Sequence, residues 1–170
     1  MPSRHITGPR RRWGQLTLTS CFIVLVATAL SWPRTPRASS QVPISLLVIV
    51  HPSVNVAALD ESALQMIFLR RRLTWDDGTR ILPFNYSAGQ PLRIYFDRAV
   101  LGFSSDEAAR YWIDARIRGG GEAPRSLGSP ALVARVVTQL RGSIAYVPDG
   151  EATNGLRVVA RVSPMGVTTP

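Results

Sequence analysis

The chain of 170 residues has no lysine, one cysteine and two histidines. Cys21 cannot form an intramolecular disulfide, and His5 and His51 are too few to complete a zinc site with it. The sequence also lacks a Ser/His/Asp set, and Gly119–Gly121 is not followed by the Lys-Ser/Thr pair of a nucleotide-binding P-loop. These absences argue against an enzyme, and we expect a protein with no metal and no cofactor.

Acidic residues are absent before Gln41, and this absence produces most of the formal charge of +9. Six of the 20 arginines precede Gln41. The rest of the chain has 14 arginines against 11 acidic residues, a difference of +3 with both signs interspersed. A nucleic-acid-binding protein concentrates positive charge on one face or alternates it with stacking aromatic residues. Neither pattern is present, so we expect no nucleic-acid partner.

The first 40 residues have the composition of an export signal. A basic segment precedes Leu16–Trp32, a block of 17 residues without a charge. Ala38–Ser40 supplies small residues at the spacing that signal peptidase reads, and Ala27–Ala29 is a second option. The block is near the lower limit for spanning a bilayer, so an uncleaved anchor in the inner membrane is the alternative. We therefore expect residues 1–40 to export a protein that is periplasmic or anchored to the inner membrane facing the periplasm.

Residues 41–163 alternate between apolar runs and amphipathic segments, which predicts one domain of helices and strands. The continuous apolar run at residues 44–50 is typical of a strand buried on both faces. Periodicity and turn residues predict the order β-α-β-α-α-α-β-β, in which the last strand lies at an edge of the sheet. The elements after the first strand are expected near residues 60–72, 81–84, 91–100, 104–118, 127–140, 144–147 and 156–162. Residues 164–170 are expected to fray. The order favours a three-layer α/β/α domain with a mixed, mainly parallel sheet.

Charged residues around the end of the first helix are expected to shape that region rather than to react. Positive charge at Arg70–Arg72 complements the helix dipole, and a contact with phosphate or membrane is the alternative to a solvated helix end. Trp75 is expected to be buried against the first helix, beside a turn made by Asp76, Asp77 and Gly78. The two adjacent carboxylates are interpreted as turn residues and not as a catalytic pair.

A strand, a loop and a helix follow one another between residues 80 and 102. Ser87 and Gly89 break the strand, and the next helix begins at Pro91, whose missing N–H has no partner in a first turn. Such a junction directs free N–H groups and a positive dipole end at one spot, where Arg93 can add a forked cation. We take Ser87, Gly89, Gln90 and Arg93 as candidate anion ligands. An ordinary connection with a solvated arginine is the alternative.

Three segments together resemble the phosphate-type (PstS-like) periplasmic substrate-binding proteins of ABC transporters. They are Ile67–Leu69 with Trp75–Gly78, the loop and helix that contain Arg93 and Phe96, and Gly142–Val147. The resemblance runs from about residue 44 to residue 147. It implies a single lobe of the type II periplasmic binding protein fold, since the chain is too short for the two lobes of a complete member.

The phosphate loop of this family offers Ser, Gly and Thr where the chain has Gln90, Pro91 and Leu92, and the loop arginine of the family falls near Tyr86. The resemblance implies a periplasmic solute-binding-like protein with inorganic phosphate or another oxyanion as ligand. The alternative is a degenerate module, tethered to the membrane, that binds a protein or a missing second lobe instead of a solute.

Overall fold

The computed structural model describes residues 45–170, so the predicted signal peptide or anchor at residues 1–40 lies outside the described range. Within residues 45–170, no helix combines the length and the apolar character needed to cross a bilayer. The described residues form one six-stranded sheet with four α-helices around it.

The sheet has the order β3-β2-β4-β1-β5-β6. Its strands are β1 Leu46–Val50, β2 Leu82–Tyr86, β3 Arg125–Leu127, β4 Ser143–Pro148, β5 Arg157–Ser163 and β6 Gly166–Thr168. Strand β2 pairs in parallel with β3 and β4, whereas β1 is antiparallel to β4 and β5, and β6 is antiparallel to β5. The α/β class and the mixed sheet are confirmed. Parallel pairing is confined to one half of the sheet, which corrects the expectation that it would predominate.

All five residues of β1 are buried, although alternate side chains point to opposite faces of a sheet. The centre of the sheet is therefore covered on both sides, as the continuous apolar run predicted. Such a run reports burial on two faces and carries no information about strand direction. The same run is therefore compatible with the two antiparallel partners that β1 has, β4 and β5, and with the parallel partners that we expected.

The four α-helices are α1 Glu61–Phe68, α2 Pro91–Phe96, α3 Ser105–Ile117 and α4 Pro130–Gln139. Three of them, α1, α3 and α4, begin after a residue whose side chain accepts a hydrogen bond from a free N–H of the first turn. Asp60 accepts a hydrogen bond from Ala63 N at 2.7 Å, and Ser104 forms a reciprocal capping box with Glu107. Helix α2 continues into a π-helical turn at Asp97–Leu101. The segment that was predicted as one helix to residue 100 therefore changes its hydrogen-bonding pattern at Asp97.

Four aromatic side chains form the centre of the core beneath the loop that follows β2. The rings of Phe96 and Tyr146 are stacked with centroids 4.0 Å apart, and Phe68 lies 4.6 Å from Phe96. Tyr86 meets the edge of Tyr146 at 5.3 Å. All four side chains are fully buried, so they join α1, α2, β2 and β4 into one apolar unit.

Trp75 lies in the connection between α1 and β2, where it is only 4% exposed. Its Nε1 donates to the carbonyl oxygen of Gly142 at 3.0 Å, and Leu82 N donates to the same oxygen at 3.1 Å. Gly142 has φ +79°, and a Cβ there would lie 2.3 Å from the carbonyl oxygen of Arg80. The predicted burial of Trp75 is confirmed, and its hydrogen bond ties the turn to the start of β4.

Strands β3 and β6 were not predicted, and β5 does not lie at the edge of the sheet where it was expected. Strand β3 occupies residues 125–127, just before the predicted helix, and β6 occupies residues 166–168, within the segment that was expected to fray. Because β6 pairs with β5, β5 lies inside the sheet and is not an edge strand. Strands of three residues carry no readable periodicity, and they exist here because a neighbouring strand offers hydrogen bonds.

Candidate anion-binding site

The loop after β2 places the four predicted ligand residues at the carboxyl end of that strand. Gln90 N donates to the carbonyl oxygen of Ser87 at 3.2 Å, which closes a tight turn through Gly89 at φ +86°. The Gln90 side chain donates across to the carbonyl oxygen of Gly128 at 3.3 Å, beyond the end of β3. Gln90 thus joins two loops, and only Gly89 and Arg93 of the four line the adjacent cavity.

Arg93 in the first turn of α2 is already engaged with groups of the protein. Its Nε donates to Asp97 Oδ2 at 2.5 Å, and its Nη1 lies 3.5 Å from the carbonyl oxygen of Tyr86, at the limit of a hydrogen bond. The side chain is 11% exposed. Within residues 45–170, Nη2 is the one guanidinium nitrogen of Arg93 without a hydrogen-bond partner. Sequence reasoning missed Asp97, although its i,i+4 spacing from Arg93 is typical of a helical ion pair.

Asp97 is a buried carboxyl group at the start of the π-helical turn, and its residue is 3% exposed. Burial raises the pKa of Asp97 above its ordinary value, while the hydrogen bond and the charge of Arg93 act in the opposite direction. Its Oδ1 is buried and has no hydrogen-bond partner in the described part of the chain. When Asp97 is ionised, its pair with Arg93 is neutral, so the cavity gains little net positive charge from Arg93.

A cavity of about 200 Å³ lies beside this ion pair. Most of its wall consists of small side chains from the loop, from α3 and from the segment that leads into β3, and Trp112 is the largest residue lining it. Pockets for organic ligands commonly measure about 300–1,000 Å³, so this cavity suits a small inorganic ion better. No group of three or more His, Cys, Asp or Glu residues within residues 45–170 is arranged to hold a metal ion.

A buried network of hydroxyl and amide groups fixes the end of β2 beneath the loop. The Tyr146 hydroxyl donates to Asn85 Oδ1, which also accepts from Tyr86 N at 2.9 Å. The Tyr86 hydroxyl donates to the carbonyl oxygen of Tyr146 at 3.1 Å. Burial raises the pKa of both tyrosines, so both hydroxyls remain protonated donors. The sequence did not identify Asn85, because an isolated amide in a strand has no pattern that distinguishes it.

Comparison with known proteins supports the architecture built so far. No protein-family model and no curated protein matches the chain. Among solved structures, PstS from Borrelia burgdorferi has a TM-score of 0.56 and 18% identity, covering 69% of this chain and 47% of its own. The chain has the fold of one lobe of the PstS-type phosphate-binding proteins. We call residues 45–170 the PstS-like lobe.

Two further structures agree with this assignment of the fold. A putative phosphate ABC transporter substrate-binding protein with bound phosphate from Clostridium perfringens has a TM-score of 0.54 and 16% identity over 69% of this chain and 44% of its own. An ABC-type phosphate transport receptor from Vibrio cholerae has a TM-score of 0.56 and 13% identity, and the match covers 69% of this chain and 46% of the receptor chain. The chain spans less than half the length of each of these structures, and at such identities the likeness concerns the fold alone.

Proposed function

We propose that the PstS-like lobe is a solute-binding module that holds a small oxyanion, with phosphate as the first candidate, in the cavity beside Arg93. The observation that carries the proposal is that Arg93 lines a cavity of about 200 Å³ at the loop that follows β2. The Nη2 group, which has no partner among the described residues, supplies two N–H donors for an oxyanion. The Clostridium perfringens structure, which shares this fold, contains bound phosphate.

Three features of the site make the proposed binding weak. Asp97 neutralises part of the Arg93 charge, Pro91 has no N–H to offer, and Ser87 does not line the cavity. We therefore expect a dissociation constant between about 1 mM and tens of micromolar, which corresponds to about 4–6 kcal/mol.

The first test measures the contribution of Arg93 by calorimetric titration of phosphate and sulfate. Arg93→Ala should remove about 1.5–3 kcal/mol of the binding free energy, the scale of hydrogen bonds to charged groups. Arg93→Lys should restore only part of it, because an ammonium group cannot reproduce the guanidinium fork. Unchanged affinity in the folded Arg93→Ala protein would place the anion elsewhere.

A second variant tests the cavity without disturbing the ion pair, since Arg93→Ala leaves Asp97 buried without its counter-charge. Ala109 lies on α3, lines the cavity and is exposed, so Ala109→Phe should fill the cavity and abolish binding while the protein stays folded. Ala131→Phe, at an exposed position of α4 outside this cavity, is the matched control and should bind normally. Equal affinities for both variants would contradict the proposed location.

A protein-interaction module is the second candidate function, and α3 is the element that favours it. Ile113 and Ile117 are 59% and 77% exposed on this helix, a large exposure for two β-branched apolar side chains. The chain also spans less than half of the structures that it resembles, so a partner protein or a second lobe could cover this helix. A wild-type protein that binds neither phosphate nor sulfate at millimolar concentration would favour this function over the first.

A further inference from the structure

A second cavity, of about 370 Å³, lies along the starts of β2 and β3. Arg70, Arg80 and Arg125 line it, and Glu122 is the one carboxylate in its wall. Arg80 precedes β2 and Arg125 is the first residue of β3, whereas the cavity beside Arg93 contains residues that follow β2. The two cavities share only Ala123 and Pro124, so the second is a separate candidate site.

The three arginines of this second cavity, which we call the arginine cluster, have no carboxylate partner within residues 45–170. The ion pairs in this part of the chain involve Arg72, Arg93 and Arg161 instead. Burial lowers the pKa of Arg70, and the charge of Arg80 lowers it further, which shows that the two cations oppose each other. Like charges placed near one another repel, and a bound anion would reduce this repulsion.

The backbone at Arg70 supplies an independent observation. Arg70 has φ +59°, and it is the single residue other than glycine with a positive φ among residues 45–170. This left-handed conformation just after a helix is normally taken by glycine, because a side chain there is strained. The conformation places the Arg70 guanidinium against the carbonyl oxygen of Ile81 at 3.3 Å, in the wall of the second cavity. Strain retained at one residue of an unpaired cationic cluster is typical of a binding site.

We propose that the arginine cluster binds a small molecule that carries two or more anionic groups. Three guanidinium groups can match several carboxylate or phosphate oxygens, which a single-charged ion could not satisfy. The volume of about 370 Å³ falls within the range for organic ligands, and Leu82, Phe84 and Leu140 add apolar surface for a carbon skeleton. This inference is independent of the proposed oxyanion site, because it depends on other residues.

Citrate and pyrophosphate are the probes for this site, with acetate as the single-charged control. Each is titrated at low salt into the full chain by calorimetry, because charge-dependent binding is screened by salt. We expect citrate or pyrophosphate to bind in the millimolar range or tighter, with acetate at least about tenfold weaker. A preference for citrate would identify carboxylate groups on a carbon body as the ligand chemistry, and a preference for pyrophosphate would identify phosphate groups.

Matched variants decide whether the arginine cluster carries the binding. Arg80→Gln and Arg125→Gln should each weaken it about tenfold or more, the scale of a lost charged hydrogen bond. Both side chains belong to exposed residues, so the fold should persist, as checked by circular dichroism. Arg116→Gln, an exposed position of α3 outside both cavities, makes the same charge change and should alter the affinity less than about twofold.

Three results would overturn the proposal. One is the absence of binding of both probes at millimolar concentration. Another is an effect of Arg116→Gln as large as that of Arg80→Gln, because the interaction would then depend on net charge alone. The third is a loss of citrate and pyrophosphate binding in Arg93→Lys equal to that in Arg80→Gln, which would place the anion in the first cavity. Failure of phosphate to bind beside Arg93 would leave this proposal standing.

Discussion

At the scale of single residues, Asp97 limits the charge and the N–H donors that Arg93 can present to the adjacent cavity. Its Oδ2 accepts a hydrogen bond from Nε of Arg93, and its Oδ1 is buried without a partner in the described part of the chain. A buried ion pair contributes little stability when desolvation offsets its Coulombic attraction. The raised pKa of Asp97 indicates that burial outweighs the influence of Arg93 at this position.

This direction of the Asp97 pKa shift makes a prediction about stability and pH. A carboxyl group whose pKa is raised on folding contributes stability that is present below its unfolded pKa of about 4 and is lost as the pH rises through the folded value. Asp97→Asn cannot titrate. The variant should therefore gain stability relative to wild type, seen as a larger free energy of unfolding, as the pH rises from about 4 toward neutrality.

Urea unfolding of wild type and Asp97→Asn across this pH range measures the difference. Asp114→Asn, at an exposed position of α3, makes the same substitution and is the control. If Asp97→Asn instead loses stability relative to wild type as the pH rises, the charge of Arg93 dominates and the pKa of Asp97 is lowered.

At the scale of elements, the connection between α1 and β2 is held by one aromatic side chain and one carbonyl oxygen. Trp75 is buried, and the carbonyl oxygen of Gly142 accepts from both Trp75 Nε1 and Leu82 N. Asp77 stabilises the adjoining turn, since its carboxylate accepts from Thr79 N at 2.8 Å and from the Thr79 hydroxyl at 2.9 Å. These contacts explain how a segment without regular structure keeps a fixed shape.

Trp75→Ala should lower the free energy of unfolding by about 3–5 kcal/mol, because it empties a buried aromatic position. Trp75→Phe keeps most of the packing and loses the hydrogen bond to Gly142, whose oxygen still accepts from Leu82, so its cost should be about 1–2 kcal/mol. Urea unfolding of the three proteins provides the comparison. A loss below about 1 kcal/mol for Trp75→Ala would show that the ring contributes little to the fold.

How much the sequence could predict also differs from element to element. The apolar run of β1, the existence of the helices and the burial of Trp75 follow from local patterns, and all three were predicted. Strands β3 and β6 were missed because three residues have no period, and their pairing depends on neighbours far along the chain.

The candidate site was also predicted only in part, since the sequence indicated Arg93 but not the cavity wall or Asp97. Pro91 and Arg93 mark the start of α2 in the sequence, but the wall of the cavity comes from α3 and from the segment before β3. Those positions carry mostly small residues, which have no motif and are brought to the site only by the fold. Asp97 shares a helix face with Arg93, and its spacing alone did not distinguish it from a solvent-exposed acid.

At the scale of the whole molecule, we expect residues 1–40 to determine the location of the protein. Fused to a reporter that is active only outside the cytoplasm, this segment should yield reporter activity, because it combines a basic start with a long uncharged block. A mature chain that begins at Gln41 would identify a cleaved signal peptide, and an intact chain in the membrane fraction would identify an anchor. A fusion protein that is produced but inactive, and that stays in the cytoplasm, would contradict both forms of export.

The central place of β1 in the sheet has a consequence for the synthesis of the chain. Among the strands of residues 45–170, β1 is the first to leave the ribosome, but its two partners, β4 and β5, belong to the last third of the chain. Val50 and Ser143 are 93 residues apart, so at about 5–20 residues per second the strand waits roughly 5–20 s for its first partner. During this time an uncharged stretch rich in β-branched residues is open to aggregation, and a chaperone that covers residues 46–50 would decide the yield of folded protein.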